Sequence, residues 1–442
     1  MRPMAGWAVM ACAGLLGALP AAAQEATEGD LRKEVEALKA KVEALESEKK
    51  VEPAPKAEPA QLMKLDDDRT ILDILAAETT LSGFVDTGVI FNMNRPKDSG
   101  RAGVGENVVM PFTNQARNFY LHNAQLNLKR DPTKELITGY NVEVMFGSDA
   151  NGADTLDTSD AGDYVTLQEA NISILAPFGP NGVTFTIGKF ATFAGYEVIE
   201  SKDNYNYTRS LPFFFAIPFT HTGVRAAYSF SDQIKVTLGV NNGWDVMNDL
   251  NDAKTFEAQL AVTPIPWLSL YGNFYMGAEQ PKTLTTAGRT PGDDRMLIDI
   301  VAVASKIPGL DGFTFGLNVD IGSEEDIDSS VGASPGDDAE WFGLAVYGKY
   351  EINADWAVAV RFSMLSDDGA TRLPAHFDSN GVPTTDENTA SEVTFTVQRQ
   401  ISKDTIARVE VRLDMSDEDL FVDHNEPEDS QVILGGEVIL TF

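Results

Sequence analysis

The chain has 442 residues, with 34 Lys and Arg against 67 Asp and Glu, so its net charge is −33, and it contains one cysteine. So acidic a chain lacks the basic face that phosphate binding requires, which excludes a nucleic-acid partner. The hydrophobic share of 43% is too high for a disordered chain, and one cysteine is too few for a disulfide scaffold. After residue 23 no apolar run approaches the roughly 18 residues of a transmembrane helix, which excludes a helical membrane protein but not a membrane barrel.

Residues 1–23 have the pattern of a cleaved secretory signal peptide. Arg2 provides the positive start, Trp7–Leu19 the apolar stretch, and Ala21–Ala23 the small residues of a cleavage site. The apolar stretch is too short to span a bilayer. Because Cys12 lies inside it, the mature chain contains no cysteine, and something other than disulfides must stabilise this exported protein.

Residues 24–50 carry a short heptad pattern that predicts a coiled-coil segment and, with it, a homo-oligomer, with a trimer suspected. The repeat covers little more than two heptads, so a single solvated helix remains the alternative. Residues 51–79 are rich in Pro and Glu at their start, and we predict an extended spacer followed by a short helix. The apolar heptad positions are Leu31, Val35, Leu38, Val42 and Leu45.

From residue 80 onward, apolar residues alternate with polar or small ones, as in Phe313–Ile321 and Val393–Val397. A strand places successive side chains on opposite faces, so each of these segments has one apolar and one polar face. The pattern predicts sixteen strands, near residues 80–92, 118–129, 138–146, 164–175, 182–190, 219–229, 234–243, 254–263, 267–276, 295–306, 312–321, 340–350, 356–365, 391–400, 404–414 and 431–442.

The connections between these segments alternate between short turns, such as 130–137, and long polar loops, such as 191–218. An even number of strands of about ten residues, with short turns at one end and long loops at the other, is typical of an outer-membrane barrel. We therefore predict an all-β fold: a 16-stranded antiparallel transmembrane β-barrel over residues 80–442, preceded by a short N-terminal coiled-coil helix. Closure pairs every backbone group at membrane depth, and a barrel of this width encloses a water channel.

Several stretches are similar to known outer-membrane barrels. Val432–Phe442 alternates and ends in an aromatic residue, which resembles the terminal strand of such barrels. Gly188–Phe230 and Leu238–Asp245 above all, with Leu81–Asp86 and Asn118–Leu126, resemble the putative beta-barrel porin family described as OmpL-like (porin-2). The resemblance covers about residues 80–442. It implies an outer-membrane channel in a Gram-negative-type bacterium, and it brings no catalytic motif and no particular substrate.

The long connection at about 191–218 differs from the other loops, because a freely solvated loop would not carry Phe213-Phe214-Phe215. We predict that it folds into the barrel and narrows the pore, as the third loop does in other sixteen-stranded porins. The alternative is that its apolar part extends a strand or contacts another subunit. The predicted constriction residues are Tyr196, Glu197, Glu200, Asp203, Tyr205, Tyr207 and Arg209.

Alternation also places basic residues on the polar face of the strands. We expect this basic strip to face water opposite the acids Glu197, Glu200 and Asp203, giving a transverse field that discriminates between ions. The alternative is that these charges pair across neighbouring strands. The residues of the strip are Arg225, Lys235, Arg361, Arg408 and Arg412.

Two functions are compatible with these patterns. The first is a porin for passive diffusion of small hydrophilic solutes or ions. The alternative is a structural or adhesive barrel without an open pore, whose acidic loops bind a surface partner; divalent cations bound by those loops are a further possibility. The expected partners are outer-membrane lipid, lipopolysaccharide, the solutes or ions, and further copies of the chain.

Nothing in the sequence points to an enzyme. The four histidines lie outside a nucleophile motif such as G-x-S-x-G and outside zinc-ligand spacing. We therefore expect no catalytic residue, no metal site and no cofactor. The histidines are His122, His221, His376 and His424.

Overall fold

A computed structural model describes the chain from residue 78 to residue 442 with several gaps. The described residues are 78–97, 106–153, 164–280, 294–325, 338–368, 371–374, 376–377, 383–384 and 387–442. The predicted signal peptide, coiled-coil segment and spacer before residue 78 lie outside this part of the chain.

Sixteen strands within the described residues form one closed antiparallel barrel, in which each strand pairs with its neighbours in chain order. Here they are numbered β1 to β16. Their bounds are Thr80–Asn92, Arg117–Arg130, Thr138–Phe146, Val165–Ala176, Val183–Ala191, Thr220–Ser231, Ile234–Asn241, Thr255–Ile265, Leu268–Ala278, Asp294–Ser305, Phe313–Glu324, Ala339–Glu351, Trp356–Asp368, Asn388–Ser402, Thr405–Ser416 and Ser430–Thr441.

The predicted 16-stranded barrel is confirmed, and the predicted strand ends lie within three residues of the observed ones. The barrel closes where β1 pairs with β16, in a register that runs from Phe84 opposite Thr441 to Asn92 opposite Ile433. Closure leaves no unpaired sheet edge and satisfies the backbone of strands that must cross hydrocarbon.

Strand β15 illustrates how the sequence specifies the two faces of the wall. Val409 is 52% exposed and points outward, whereas Arg408 and Arg412 are 2% and 0% exposed and point inward. Because the side-chain period of a strand is two, an apolar exterior and a polar interior follow directly from this alternation. The outward positions therefore suit contact with lipid.

Short helices, 3₁₀ turns and small hairpins lie in the long loops at one end of the barrel. They include helix α1 at Ser148–Ala153, helix α2 at Leu211–Phe215, and 3₁₀ turns at Pro111–Thr113 and Ser201–Asp203. Two small hairpins stand apart from the barrel sheet, and their strands are His376–Phe377, Pro383–Thr384, Phe421–Asp423 and Glu426–Glu428. No helix in the described part of the chain is long and apolar enough to cross a membrane.

The barrel interior contains a buried apolar cluster as well as polar side chains. Inward-facing residues of the wall, such as Leu297 and Leu365, join the loop residues Met110, Phe112 and Phe213 in this cluster. Burial of these side chains provides the hydrophobic stabilisation that a wide, fully hydrated lumen would lack. It also holds parts of two long loops against the wall.

Candidate pore constriction

The connection between β5 and β6, residues 192–219, is called L3 here, and it makes hydrogen bonds with the wall strands β10, β11 and β15. The amide of Gly195 donates to Asp299 Oδ2 over 3.1 Å, that of Tyr196 to Asn318 Oδ1 over 3.1 Å, and that of Tyr207 to Glu410 Oε2 over 2.6 Å. Strand β15 lies far from β5 and β6 in the strand order of the barrel. The polypeptide of L3 therefore reaches inward-facing side chains on the far wall.

Arg361 on β13 binds L3 most extensively. Its Nη1 donates to Glu197 Oε1 over 2.8 Å and to the Thr208 carbonyl over 2.5 Å, while Nε donates to Glu392 Oε1 over 2.6 Å. The guanidinium and both carboxylates are buried. A buried charge needs such partners, because an unpaired one would be strongly destabilising.

Two further arginines on β15 bind carbonyl groups of L3. Arg408 Nη2 donates to the Asn204 carbonyl over 2.6 Å, and Arg412 Nη1 donates to the Arg209 carbonyl over 2.5 Å. Because L3 has little regular secondary structure, its carbonyls need donors from elsewhere, and a guanidinium group supplies several in a fixed geometry. Each of these arginines also forms an ion pair with a carboxylate of the wall. Arg408 Nη1 lies 2.8 Å from Glu437 Oε1, and Arg412 Nε lies 2.7 Å from Asp414 Oδ1.

The prediction that the basic strip faces water is wrong for four of its five residues. Arg361, Arg408 and Arg412 point inward as expected, but L3 covers them and they are paired. Arg225 is buried as well, with its Nη2 2.9 Å from Glu257 Oε2 and its guanidinium 3.7 Å from the centre of the Phe193 ring. The fifth residue, Lys235, is exposed near one end of β7. The predicted alternative, pairing across neighbouring strands, describes the wall charges better.

The predicted constriction residues divide into two groups. Glu197, Tyr207 and Arg209 are buried, so the expectation that they line the passage is wrong, because they are used to fix L3 in place. Arg209 stays within L3, where its Nη2 donates to the Ile199 carbonyl over 2.7 Å. The other four are more accessible: Tyr196, Glu200 and Tyr205 are half-buried and Asp203 is exposed.

The apolar run of L3 forms helix α2 and does not extend a strand, so the strand-extension alternative is wrong. The Ser210 hydroxyl caps the helix by accepting the Phe213 amide over 3.3 Å, and Pro212 stands in the first turn, where it needs no donor. Phe213 packs against Phe219 and against Phe112 of the first long loop, with ring centres 5.0 and 6.1 Å apart. The role of Phe112 was missed because no local pattern links it to L3.

Glu410 and a histidine complete the attachment of L3. Glu410 accepts both the Tyr207 and Thr208 amides, the second over 3.0 Å. The Tyr207 hydroxyl lies 2.6 Å from His122 Nε2, and His122 Nδ1 lies 2.8 Å from Asp149 Oδ1. His122 thus acts as a structural bridge between L3 and helix α1.

Two tyrosines of L3 fit against glycines of the wall. A Cβ atom built at Gly435 would stand 2.7 Å from Tyr207 Cδ1, and one at Gly316 would stand 2.5 Å from Tyr196 Cζ. Both distances are too short for carbon atoms, so these wall positions require the absence of a side chain. The ring of Tyr196 also stacks on Tyr347, with centres 4.3 Å apart.

Glu200 lies near acidic residues of the wall strands β3 and β4. Burial raises its pKa to about 7, with further contributions from the nearby carboxylates Glu143 and Glu169. These two belong to a hydrogen-bonded row with wall amides, in which Asn127 donates to Glu143 over 2.7 Å and Asn141 to Glu169 over 2.9 Å. The carboxyl group of Glu200 therefore changes its charge near neutral pH.

Among the described residues, no group of three or more His, Cys, Asp and Glu side chains is arranged to hold a metal ion. A closed antiparallel barrel with an apolar exterior and a polar inner wall is the architecture of outer-membrane channels. The chain belongs to the family described as "Putative beta-barrel porin-2, OmpL-like", whose sequence model matches residues 78–442. It is an outer-membrane porin and not an enzyme. No curated protein matches the chain in sequence.

Solved structures of outer-membrane proteins share the fold. The channel DcaP of Acinetobacter baumannii is 13% identical, with a TM-score of 0.54 over 82% of this chain and 97% of that one. An anion-selective porin from Comamonas acidovorans is 12% identical, with a TM-score of 0.53 over 82% and 99%. A trimer form of OmpT from Vibrio cholerae is 11% identical, with a TM-score of 0.51 over 82% and 99%.

Proposed function

We propose that this porin allows passive diffusion of small hydrophilic solutes or ions through a water-filled barrel that L3 narrows. The observation that carries the proposal is the set of bonds from Arg361, Arg408, Arg412 and Glu410 to L3, which hold the loop away from its own strands. A loop bound in this way reduces the cross-section of the barrel interior. The proposed lining residues on the loop are Tyr196, Glu200, Asp203 and Tyr205.

Single-channel recording in planar lipid bilayers tests this function. The purified barrel is expected to insert in discrete steps of conductance that scale with salt concentration, as for a water-filled pore. A folded barrel that inserts without conducting would refute the proposal. Heat-dependent migration on gels identifies the folded state independently of conductance.

The charge of Glu200 predicts a pH dependence of ion selectivity. Its carboxyl is ionised above its pKa of about 7 and neutral below it, so lowering the pH from about 8 to about 6 removes a negative charge from the passage. The permeability of K⁺ relative to Cl⁻ is expected to fall over this interval. Reversal potentials measured in a salt gradient at each pH report the ratio.

The variant Glu200→Gln is expected to abolish this step and to resemble the wild type at low pH. Asp404→Asn is the matched control, because Asp404 is exposed in the turn between β14 and β15 and its pKa is lowered by hydrogen bonds from Ser402 and Thr405. A wild-type ratio that stays constant over the interval would argue against Glu200 as a lining residue.

A structural or adhesive barrel without an open pore is the second candidate function. The buried apolar cluster inside the barrel favours it, since apolar side chains exclude water from part of the lumen. The conductance measurement separates the two functions, because this candidate requires a folded barrel that does not conduct.

We further propose that the barrel assembles as a homotrimer in contact with outer-membrane lipid and lipopolysaccharide. The trimer form of a structurally similar barrel, OmpT, supports this assembly. Light scattering of the detergent-solubilised protein measures the number of copies.

A further inference from the structure

A cavity of about 310 Å³ lies between L3 and the wall strands β4, β8, β9 and β10. Its lining is mainly apolar, although it faces the interior of a hydrophilic channel. Phe193, Tyr196 and Phe213 contribute rings from L3, and Tyr271, Val301 and Val303 complete the lining from the wall. A cavity of about 150 Å³ with an apolar lining is known to accept benzene in another protein, so this one has room for a substituted single ring.

Seven of the seventeen lining residues carry a polar group on the side chain: Gln168, Thr192, Tyr196, Glu197, Glu200, Gln259 and Tyr271. The side chain of Gln168 on β4 is 2% exposed, and its Nε2 has no hydrogen-bond partner among the described residues. Gln259 on β8 and Glu200 on L3 also border the cavity. A buried amide donor without a partner is unusual in a folded protein, and an oxygen atom of a bound molecule would satisfy it.

We propose that this cavity binds a small uncharged aromatic solute that carries a hydroxyl group, a member of the phenol class. The inference deepens the proposed function, on which it rests for the route by which the solute arrives. The aromatic side chains of L3 and the wall suit a ring, since aromatic pairs gain from edge-to-face and offset contacts. The amide of Gln168 would donate to the hydroxyl oxygen.

Other solute classes fit the lining less well. An anionic ring would meet Glu200, with Glu143 and Glu169 nearby. A cationic ring would lose its hydration in a mainly apolar lining, where the carboxylate of Glu197 is already paired with Arg361. A sugar would place several hydroxyl groups against a lining that exposes mainly apolar atoms, and buried unsatisfied hydroxyls oppose binding.

The test is direct binding to the folded full-length barrel in detergent micelles, measured by calorimetry, so that it does not depend on conductance. The probes share one ring and differ in charge: para-hydroxybenzyl alcohol is neutral, para-hydroxybenzoate is an anion and tyramine is a cation. Glucose represents the non-aromatic polyols. The neutral phenol is expected to bind at least about tenfold more tightly than each of the other three. Equal affinities, or tightest binding of another probe, would overturn the proposal.

Two pairs of variants locate the binding site. Val303→Trp is expected to fill the cavity and abolish binding, whereas Val346→Trp on the outward face of β12 leaves it unchanged, since Val346 is 44% exposed. Gln168→Leu is expected to weaken binding of the neutral phenol about fivefold, the usual effect of one hydrogen bond, while Gln125→Leu on β2 has no effect. Unchanged binding in both Val303→Trp and Gln168→Leu would exclude this cavity.

The cavity site and the channel function can be refuted independently of each other. A barrel that conducts but binds none of the four probes refutes the cavity site and leaves the porin function intact. A barrel that binds the neutral phenol but does not conduct supports the site and refutes the channel.

Discussion

Replacing Arg361 with methionine is expected to detach L3 from β13 and to increase the single-channel conductance. The substitution keeps most of the side-chain volume but removes the charge that neutralises Glu197 and Glu392. Breaking a buried ion pair from one side costs about 3–5 kcal/mol, because the remaining charge is left without a partner. Release of L3 is the least costly response, since it returns Glu197 to water while the barrel sheet stays intact.

Single-channel recording and thermal unfolding measure the two consequences of this substitution. Arg399→Met is the matched control, because Arg399 lies on the neighbouring strand β14 but is exposed and stacks on Trp356, 5.2 Å from its ring centre. The control should leave conductance and unfolding temperature nearly unchanged. If Arg361→Met conducts like the wild type and unfolds at the same temperature, the ion pair does not hold L3.

Replacing Gly435 with valine is expected to displace Tyr207 and, with it, the central part of L3. The new side chain would occupy the space of the Tyr207 ring and also approach Ile90, whose Cδ1 lies 3.1 Å from the position of the added Cβ atom. Overpacking of a well-packed interior typically costs about 1–3 kcal/mol. The loss of the bond between the Tyr207 hydroxyl and His122 adds to this cost.

Gly436→Val provides a control at the adjacent residue. By the alternation of β16, Gly436 points outward, and a Cβ atom there would meet only the Arg408 carbonyl oxygen, at 3.5 Å. Valine favours strands, so this substitution is expected to be neutral or slightly stabilising. Melting temperatures from gel mobility should fall for Gly435→Val only. Equal behaviour of the two variants would show that Tyr207 does not depend on the glycine.

The barrel could be predicted from the sequence because short local patterns of apolar and polar residues determine its strands and their two faces. Alternation within Phe313–Ile321 or Val393–Val397 determines which face meets lipid, and the observed strands have the predicted order and closely similar ends. Apart from the closing pair of β1 with β16, each strand pairs only with its neighbours in the chain. The same local rule identified Arg408, Glu410 and Arg412 as inward residues.

The surroundings of these inward charges could not be read from the pattern. The two-residue alternation of a strand shows that Arg361 points inward. It does not show whether the guanidinium contacts water, a carboxylate of the wall or a carbonyl of a loop. Its partners Glu197 and Thr208 belong to a loop without periodicity, so their contacts depend on the three-dimensional course of L3. The apolar run at Phe213 did indicate that this loop is not freely solvated, although it did not predict helix α2.

The attachment of L3 has a consequence for the order of assembly. Glu197 and its partner Arg361 are 164 residues apart in the chain, and Ser201 and Arg408 are 207 residues apart. Contacts of such long range form slowly, because a long stretch of chain must be ordered first. The loop is synthesised early, yet the arginines that bind it arrive only with β13 and β15, after its partners on β10 and β11. Under the proposed function, shaping of the passage is therefore a late event in biogenesis, because a chain stalled before β13 would lack the arginines that bind L3.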